Sequence, residues 1–285
     1  MEKISIFANF CIDSEERFLR LKDSFFSFNK ADISCWRINI RGKYKSKVDA
    51  FLKDNIKNNL KISFLDTDRG WLEDTKEIAK DINTFLIFIW VEDHICIKNI
   101  ENFNNIINEM FLKKVDNLNY SFYHNGRYKI PLKYVEHEIC QNISIFDFNK
   151  KNYELIEENI SNPIYPITQP AIMSLNFFNK NLDCSKNKLK YNIQLPFNFE
   201  KDFSETKKFN LLNFKNAVLN NELFVSIDDD KNCPNSSLIS RNLYPNRINR
   251  DKLLIFRDLK YNYFHKDNFL KKIKNSFLRI FKSYF

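Results

Sequence analysis

Over its first ninety residues the chain alternates between two rhythms of apolar and polar positions. Residues 4–9 are a short apolar run, read as a strand. Residues 14–29 then place Phe18, Leu21, Phe25 and Phe26 at three- and four-residue steps, the spacing of one helix face. A second strand is predicted over 33–40. A helix over 45–58 follows, with Val48, Phe51, Leu52 and Ile56 on one side, then a strand over 60–65, a helix over 72–83 and a strand over 84–91. Strands separated by helices of this length imply βαβ units, a parallel sheet and helices on both of its faces. The run FLIFIWV has no polar side, so it belongs in the centre of that sheet.

After residue 100 the rhythm loosens. A helix is expected over 100–114, with Asn99 as its cap, and a β-rich insert over 116–150, with hairpin character around Asn125 and Gly126. Residues 152–159 read as a helix, and 172–178 as a strand or a helix start. A mostly helical segment is expected over 199–220, a strand over 223–227, polar loops over 228–250, a late strand over 253–264 and a final helix over 267–284. The fold class is α/β, an open mixed sheet flanked by helices, in one domain spanning 1–265, with a C-terminal amphipathic helix over 266–285.

Composition removes several possibilities. Hydrophobic residues make up 44% of the chain, with 29 Phe, which is ample for a core. Only three glycines are present, and neither G-x-x-x-x-G-K-[ST] nor G-x-G-x-x-G occurs, so no glycine-rich phosphate loop is expected. The six cysteines are scattered without a C-x-x-C, which favours reduced thiols over structural zinc. The N-terminus lacks the long apolar core of a secretion signal, and the longest apolar run is too short to span a bilayer; a cytoplasmic protein is expected.

The net charge of +9 is unevenly placed. Residues 266–285 carry Lys266, Lys271, Lys272, Lys274, Arg279 and Lys282 against Asp267, a net +5. Phe269, Leu270, Ile273, Phe277, Ile280, Phe281 and Tyr284 form an apolar stripe between them. Such a helix either lies on an anionic membrane surface or docks on its own domain. With the charge in a tail rather than on the folded body, nucleic acid is not an expected partner.

Ligands of open parallel sheets sit at the carboxyl ends of the strands. Those ends carry Asn9 with Asp13 beyond it, Asn39 with Arg41, the cluster Asp66-Thr67-Asp68-Arg69, and Glu92-Asp93-His94. Carboxylates gathered on one rim repel unless a cation or ligand hydroxyls offset them. Oxygen ligands with an imidazole suit Mg²⁺ or Mn²⁺.

FLIFIWVEDH, after three βα units, resembles the strand-plus-DXD element of GT-A-type glycosyltransferases of the family 2 kind, with His in place of the last acid. The resemblance implies a Rossmann-like GT-A fold and a divalent metal held by Glu92 and His94, with Asp93 between them facing the donor. DTDRGWLEDTKE resembles the stretch that meets the nucleoside, which makes Asp66 and Asp68 candidates for base or ribose and Arg69 for phosphate. Asn9 and Asn39 complete the donor-binding set. An inverting member needs a base, for which Glu200 and Asp202 of PFNFEKDFSETKKF are candidates and Asp228 and Asp229 of SIDDD the alternative. His265 is a further metal candidate. The implied activity moves a sugar from a nucleotide-diphosphate donor to a glycan or lipid-linked acceptor, in bacterial capsule or lipooligosaccharide synthesis on the inner face of the plasma membrane. Residues 1–115 would form the nucleotide-sugar half and 116–265 the acceptor half.

Plainer readings exist for each residue. Acids at strand ends also cap helices or solvate turns, and His94 taken alone reads as a satisfied structural histidine. A sugar-phosphate nucleotidyltransferase is the rival enzyme, but ANFCIDSEER after the first strand lacks that class's glycine-rich loop. A non-enzymatic membrane-surface protein would leave the acidic rim unexplained.

Overall fold

The structure, a computed structural model, describes residues 3–66, 70–121, 127–159, 167–186, 199, 213–229 and 235–244. The first half follows the expected rhythm as β1 (Ile4–Cys11), α1 (Glu15–Phe28), β2 (Cys35–Arg41), α2 (Lys45–Asn55), β3 (Leu60–Ser63), α3 (Trp71–Ala79) and β4 (Leu86–Ile89). Capping chemistry sets two of the helix starts. Ser14 accepts a hydrogen bond from the Arg17 amide at α1, and Asn99 accepts one from the Asn102 amide at α4 (Ile100–Lys113).

The later elements are β5 (His94–Cys96), β6 (Asn117–Asn119), β7 (Glu138–Ile139), β8 (Ile143–Phe148), α5 (Lys150–Asn159), β9 (Ala171–Ser174), α6 (Leu175–Lys186), β10 (Phe214–Leu219) and β11 (Phe224–Ser226). Nine of the described strands form one sheet in the order β3-β2-β1-β4-β9-β6-β10-β8-β7, and β11 pairs with β5 in a small separate ribbon. β1 runs parallel to β2 and β4, β2 to β3, and β6 to β10, while β9 and β8 run against their neighbours. The carboxyl ends of β1, β2, β3, β4, β6 and β10 therefore share one rim.

Alternation along the strands separates two cores. Ile6, Ala8, Phe10, Ile38, Ile40, Phe88 and Trp90 face Leu21, Phe25 and Phe28 of α1, Val48 and Leu52 of α2 and Phe103 of α4. Phe7, Ile87, Ile89 and Met173 face Trp71 and Leu72 of α3 and Phe177 and Phe178 of α6. Helices thus cover both faces, and β4, buried along its whole length, lies between β1 and β9 as its uniform apolarity requires. Trp90 anchors the first core, with Phe10, Phe28, Phe25 and Trp36 rings 4.8, 5.4, 6.0 and 6.0 Å away.

Three expectations need correction. The segment 116–150 is no separate β-rich insert: β6 enters the main sheet between β9 and β10, and β8 extends it. Arg127–Lys133 forms a 3₁₀ helix around Pro131 where extended chain was expected, because proline withholds the amide that a ladder needs. Residues 214–219, expected as helix, are β10, since Phe214 and Val218 bury on one side and Ala217 and Leu219 on the other, with period two. Residues 172–178 were open between two readings and divide between them, β9 ending at Ser174 and α6 beginning at Leu175. Residues 245–285, with the late strand and the amphipathic helix, lie outside the described residues.

Candidate active site

The rim has two chemically distinct ends. Over β1 and β2 it is built of amides. Asn39 is fully buried; its Nδ2 donates to Asn9 Oδ1 and to the Leu65 carbonyl, both at 2.9 Å, while its Oδ1 accepts the Leu65 amide at 2.8 Å. One side chain thereby pairs with the chain leaving β3 as a neighbouring strand would, and steers it across the rim. Arg41 donates from Nε to Asn9 Oδ1 at 3.3 Å, and the Asn9 Nδ2 group is enclosed without a hydrogen-bond partner among the described residues. Asp13, beyond β1, accepts from the Lys43 amide at 3.2 Å and from the Cys11 thiol at 3.3 Å, and those bonds hold its carboxyl below the usual range. Gly42 between them has φ +91°, and a Cβ there would fall 2.6 Å from the Ile12 carbonyl, so only glycine lets β1 and β2 close this tightly.

Over β4 and the β5–β11 ribbon the rim is ionic. The turn after β4 carries Glu92 and Asp93, and His94 opens β5. The His94 ring is buried and engaged at both nitrogens, Nδ1 with Asp93 Oδ1 at 2.7 Å and Nε2 with Ser121 Oγ at 2.8 Å. Ser121 arrives from the end of β6. Ser24 of α1 fixes the same turn from below, donating to the His94 carbonyl at 2.6 Å and accepting from Trp90 Nε1 at 2.9 Å. Burial works against ionisation of Asp93, but its contact with His94, together with Arg20 and its own backbone amide, outweighs that and holds the carboxyl low. Burial and the Asp93 charge push Glu92 up, opposed by Arg17, whose Nη2 lies 2.9 Å from Glu92 Oε1.

The β11–β5 pairing sets Ser226 opposite His94, which delivers Asp228 to this end of the rim. Arg20 bridges Asp228 and Glu16 there. The acidic rim was expected to need an outside cation, and two guanidiniums of α1 already supply part of that charge. Sequence reading passed over both arginines because they lie on the helix after β1 rather than at a strand end; their positions one turn apart, at the N-terminal end of a helix that packs on the sheet, were the available signal.

Each expected residue can now be located. Asn9, Asn39 and the exposed Asp66 lie at the amide end; Glu92, Asp93, His94 and Asp228 gather at the ionic end. Asp229 is committed elsewhere. Its carboxylate accepts the amides of Asn235, Ser236 and Ser237 at 3.1, 3.1 and 2.9 Å and the Ser240 hydroxyl at 2.9 Å, which organises the turn that follows. Asp68, Arg69, Glu200, Asp202 and His265 lie outside the described residues.

For a divalent ion the expected ligand pair, Glu92 and His94, is a poor fit: the histidine's two nitrogens are occupied by Asp93 and Ser121, and the glutamate is bound to Arg17. Asp93 fits better. His94 engages its Oδ1 and its side chain is 42% exposed, so it can offer one hard oxygen ligand. Among the described residues, no group of three or more His, Cys, Asp and Glu side chains is arranged to hold a metal. Any ion here would complete its shell with water and substrate oxygens.

No family model matches this chain, and no curated protein does. Among solved structures it is similar to two crystal structures of S. aureus TarS. One, of residues 1–349, has a TM-score of 0.44 at 12% identity over 79% of this chain and 60% of that one. The other has a TM-score of 0.46 at 13% identity over 79% of this chain and 36% of that one. The chain thus spans less than two thirds of either neighbour, and neither score is high enough to transfer a chemistry.

Proposed function

We propose that this protein is a glycosyltransferase of GT-A type that moves a sugar from a nucleotide-diphosphate donor to a hydroxyl of a glycan or lipid-linked acceptor. The observation that carries the reading is the division of the rim. An amide end suited to a neutral nucleoside adjoins an ionic end suited to a diphosphate, both at the carboxyl ends of parallel strands, where such ligands bind. Asn9 would read the nucleoside by turning its enclosed Nδ2 group outward; Asn39 positions the chain leading to Asp66. Asp68 and Arg69 follow directly and complete the donor side of the proposal.

In the transfer, the acceptor oxygen bonds to the sugar's anomeric carbon as the bond from that carbon to the diphosphate oxygen breaks, and the acceptor proton passes to a carboxylate. That carboxylate is Glu200 or Asp202, or Asp228, which is described at the rim. Asp93 would hold a Mg²⁺ or Mn²⁺ ion together with donor phosphate oxygens, with Glu92 beside it and His265 as a further candidate ligand; when bound, such an ion offsets charge on the departing diphosphate. His94 then acts through Asp93, fixing the direction of its carboxylate from a ring that Ser121 holds in turn.

Among the described residues no helix is long and apolar enough to cross a membrane. The basic helix over 266–285 is the proposed contact with an anionic membrane surface, which would bring the enzyme to a lipid-linked acceptor in capsule or lipooligosaccharide synthesis.

The test is a thermal-shift screen of the full chain against UDP-, GDP- and CMP-sugars with Mn²⁺, followed by turnover of whichever donor binds. A donor at about a hundred times its dissociation constant raises stability by about 2.7 kcal/mol. Asp93→Asn should lower kcat/KM by about 100-fold or more, the scale of removing a group that acts on transition-state charge, while unfolding stays within about 1 kcal/mol because the side chain is half exposed. If no nucleotide sugar shifts the transition, the proposal fails.

A further inference from the structure

Resting on the nucleotide-sugar reading, we infer that Arg17 of α1 is the residue that grips the donor's diphosphate. Four carboxylates, Glu16, Glu92, Asp93 and Asp228, lie at the ionic end, and an anionic ligand approaching them is repelled unless a cation faces it. Two guanidiniums are present, and they differ. Arg20 is enclosed, its side chain 11% exposed, and engaged by Glu16 and Asp228. Arg17 is 49% exposed and held at two points, donating from Nη1 to the Cys11 carbonyl at 2.8 Å and forming an ion pair from Nη2 to Glu92 Oε1 at 2.9 Å.

Of the five N–H groups a guanidinium carries, one donates to the Cys11 carbonyl while Nη2 sits in the ion pair with Glu92, and half of the side chain remains exposed to a ligand. Fixed at the end of β1 and at the turn after β4, the group spans the junction between the amide and ionic ends of the rim. A linker between nucleoside and sugar has to cross that junction. A planar fork already held in place loses little freedom on binding and matches phosphate oxygens in pairs.

The experiment uses the full-length protein and three variants of one ligand. UDP, GDP, CDP and ADP are titrated calorimetrically with Mg²⁺ present; the best binder is then compared with its monophosphate and its nucleoside. Arg17→Gln should weaken the diphosphate about 10- to 100-fold, the range of a lost charge-assisted pair, and leave the nucleoside within about 3-fold. Arg17→Lys should recover part of the loss, since a point charge replaces the fork. Unchanged diphosphate affinity in Arg17→Gln, with a wild-type unfolding transition, overturns the inference and leaves the glycosyltransferase reading intact. Equal weakening of nucleoside and diphosphate, with a lowered transition, also overturns it, because Arg17 would then only be holding the Glu92 turn. Absence of binding by every nucleoside diphosphate to the wild type defeats the underlying reading itself.

Discussion

The two ends of the rim solve the same problem with different chemistry. At the amide end the chain leaving β3 is held by neutral hydrogen bonds to one buried side chain, Asn39. At the ionic end the turn after β4 is held by the Arg17–Glu92 ion pair and by the His94 ring on Asp93, and Arg20 fixes Asp228 beside it. Neutral bonds in a buried setting are short-ranged and costly to leave unmade, so the amide end is rigid and selective by shape. Each pair at the ionic end sets an enclosed partner (Glu92, His94 or Arg20) against one that is 42–49% exposed, so the exposed partner can meet a ligand's charge while the enclosed one stays covered. The lesson is that the surface able to handle charge rests on a neutral, well-packed support.

That contrast can be broken from underneath. Trp90 lies below the ionic end, buried among Phe10, Phe25, Phe28 and Trp36, with its indole N–H on the serine that fixes the His94 carbonyl. Trp90→Ala should cost about 3–5 kcal/mol in denaturant unfolding. A loss below about 1 kcal/mol would mean that the ionic end is not supported by this core.

A smaller effect separates the two ends directly. Asn39→Ala should destabilise by about 1–3 kcal/mol, because the Leu65 amide and carbonyl lose their partners together. Hydrogen exchange at Leu65 should rise with it, while exchange in β5 stays as it was. Loosening of both regions would show that the ends form one cooperative unit.

The smallest effect concerns pH. The turn of residues 235–240 hangs on Asp229, whose amide and hydroxyl donors outweigh partial burial and hold its folded pKa below the ordinary value of 3.8. In the window below 3.8 the unfolded chain binds this proton and the folded one does not, so the stabilisation is complete above that pH and is lost as pH falls towards the folded value. Asp229→Asn should therefore be less stable than wild type by about 1 kcal/mol at pH 7, and the gap should narrow below pH ~4. A gap that is independent of pH would remove the carboxylate's charge from the account.

How much was legible in the residues follows from range. Helix spacing at Phe18, Leu21 and Phe25, the Asn99 cap and the unbroken apolarity of β4 are local signals, and each led to the right element in the right order. β10 was misread because six residues alternate too briefly to outweigh the neighbouring helix-like pattern, and only pairing with β6 and β8 makes it a strand. At the site, Asn9, Asn39, Asp93 and His94 could be picked out by position at strand ends, since the parallel βα order puts those ends together whatever the side chains do.

The direction each group points was not legible. Whether His94 turns outward to a ligand or inward to Ser121, twenty-seven residues away, depends on where β6 lands in the sheet. Whether the acids need an outside cation depends on α1 setting Arg17 and Arg20 against residues seventy-five and more than two hundred positions distant. Periodicity and capping act over a few residues and are written into the chain itself. Charge pairing and hydrogen-bond satisfaction act across space, and only the closed sheet with its packed helices brings those partners within reach.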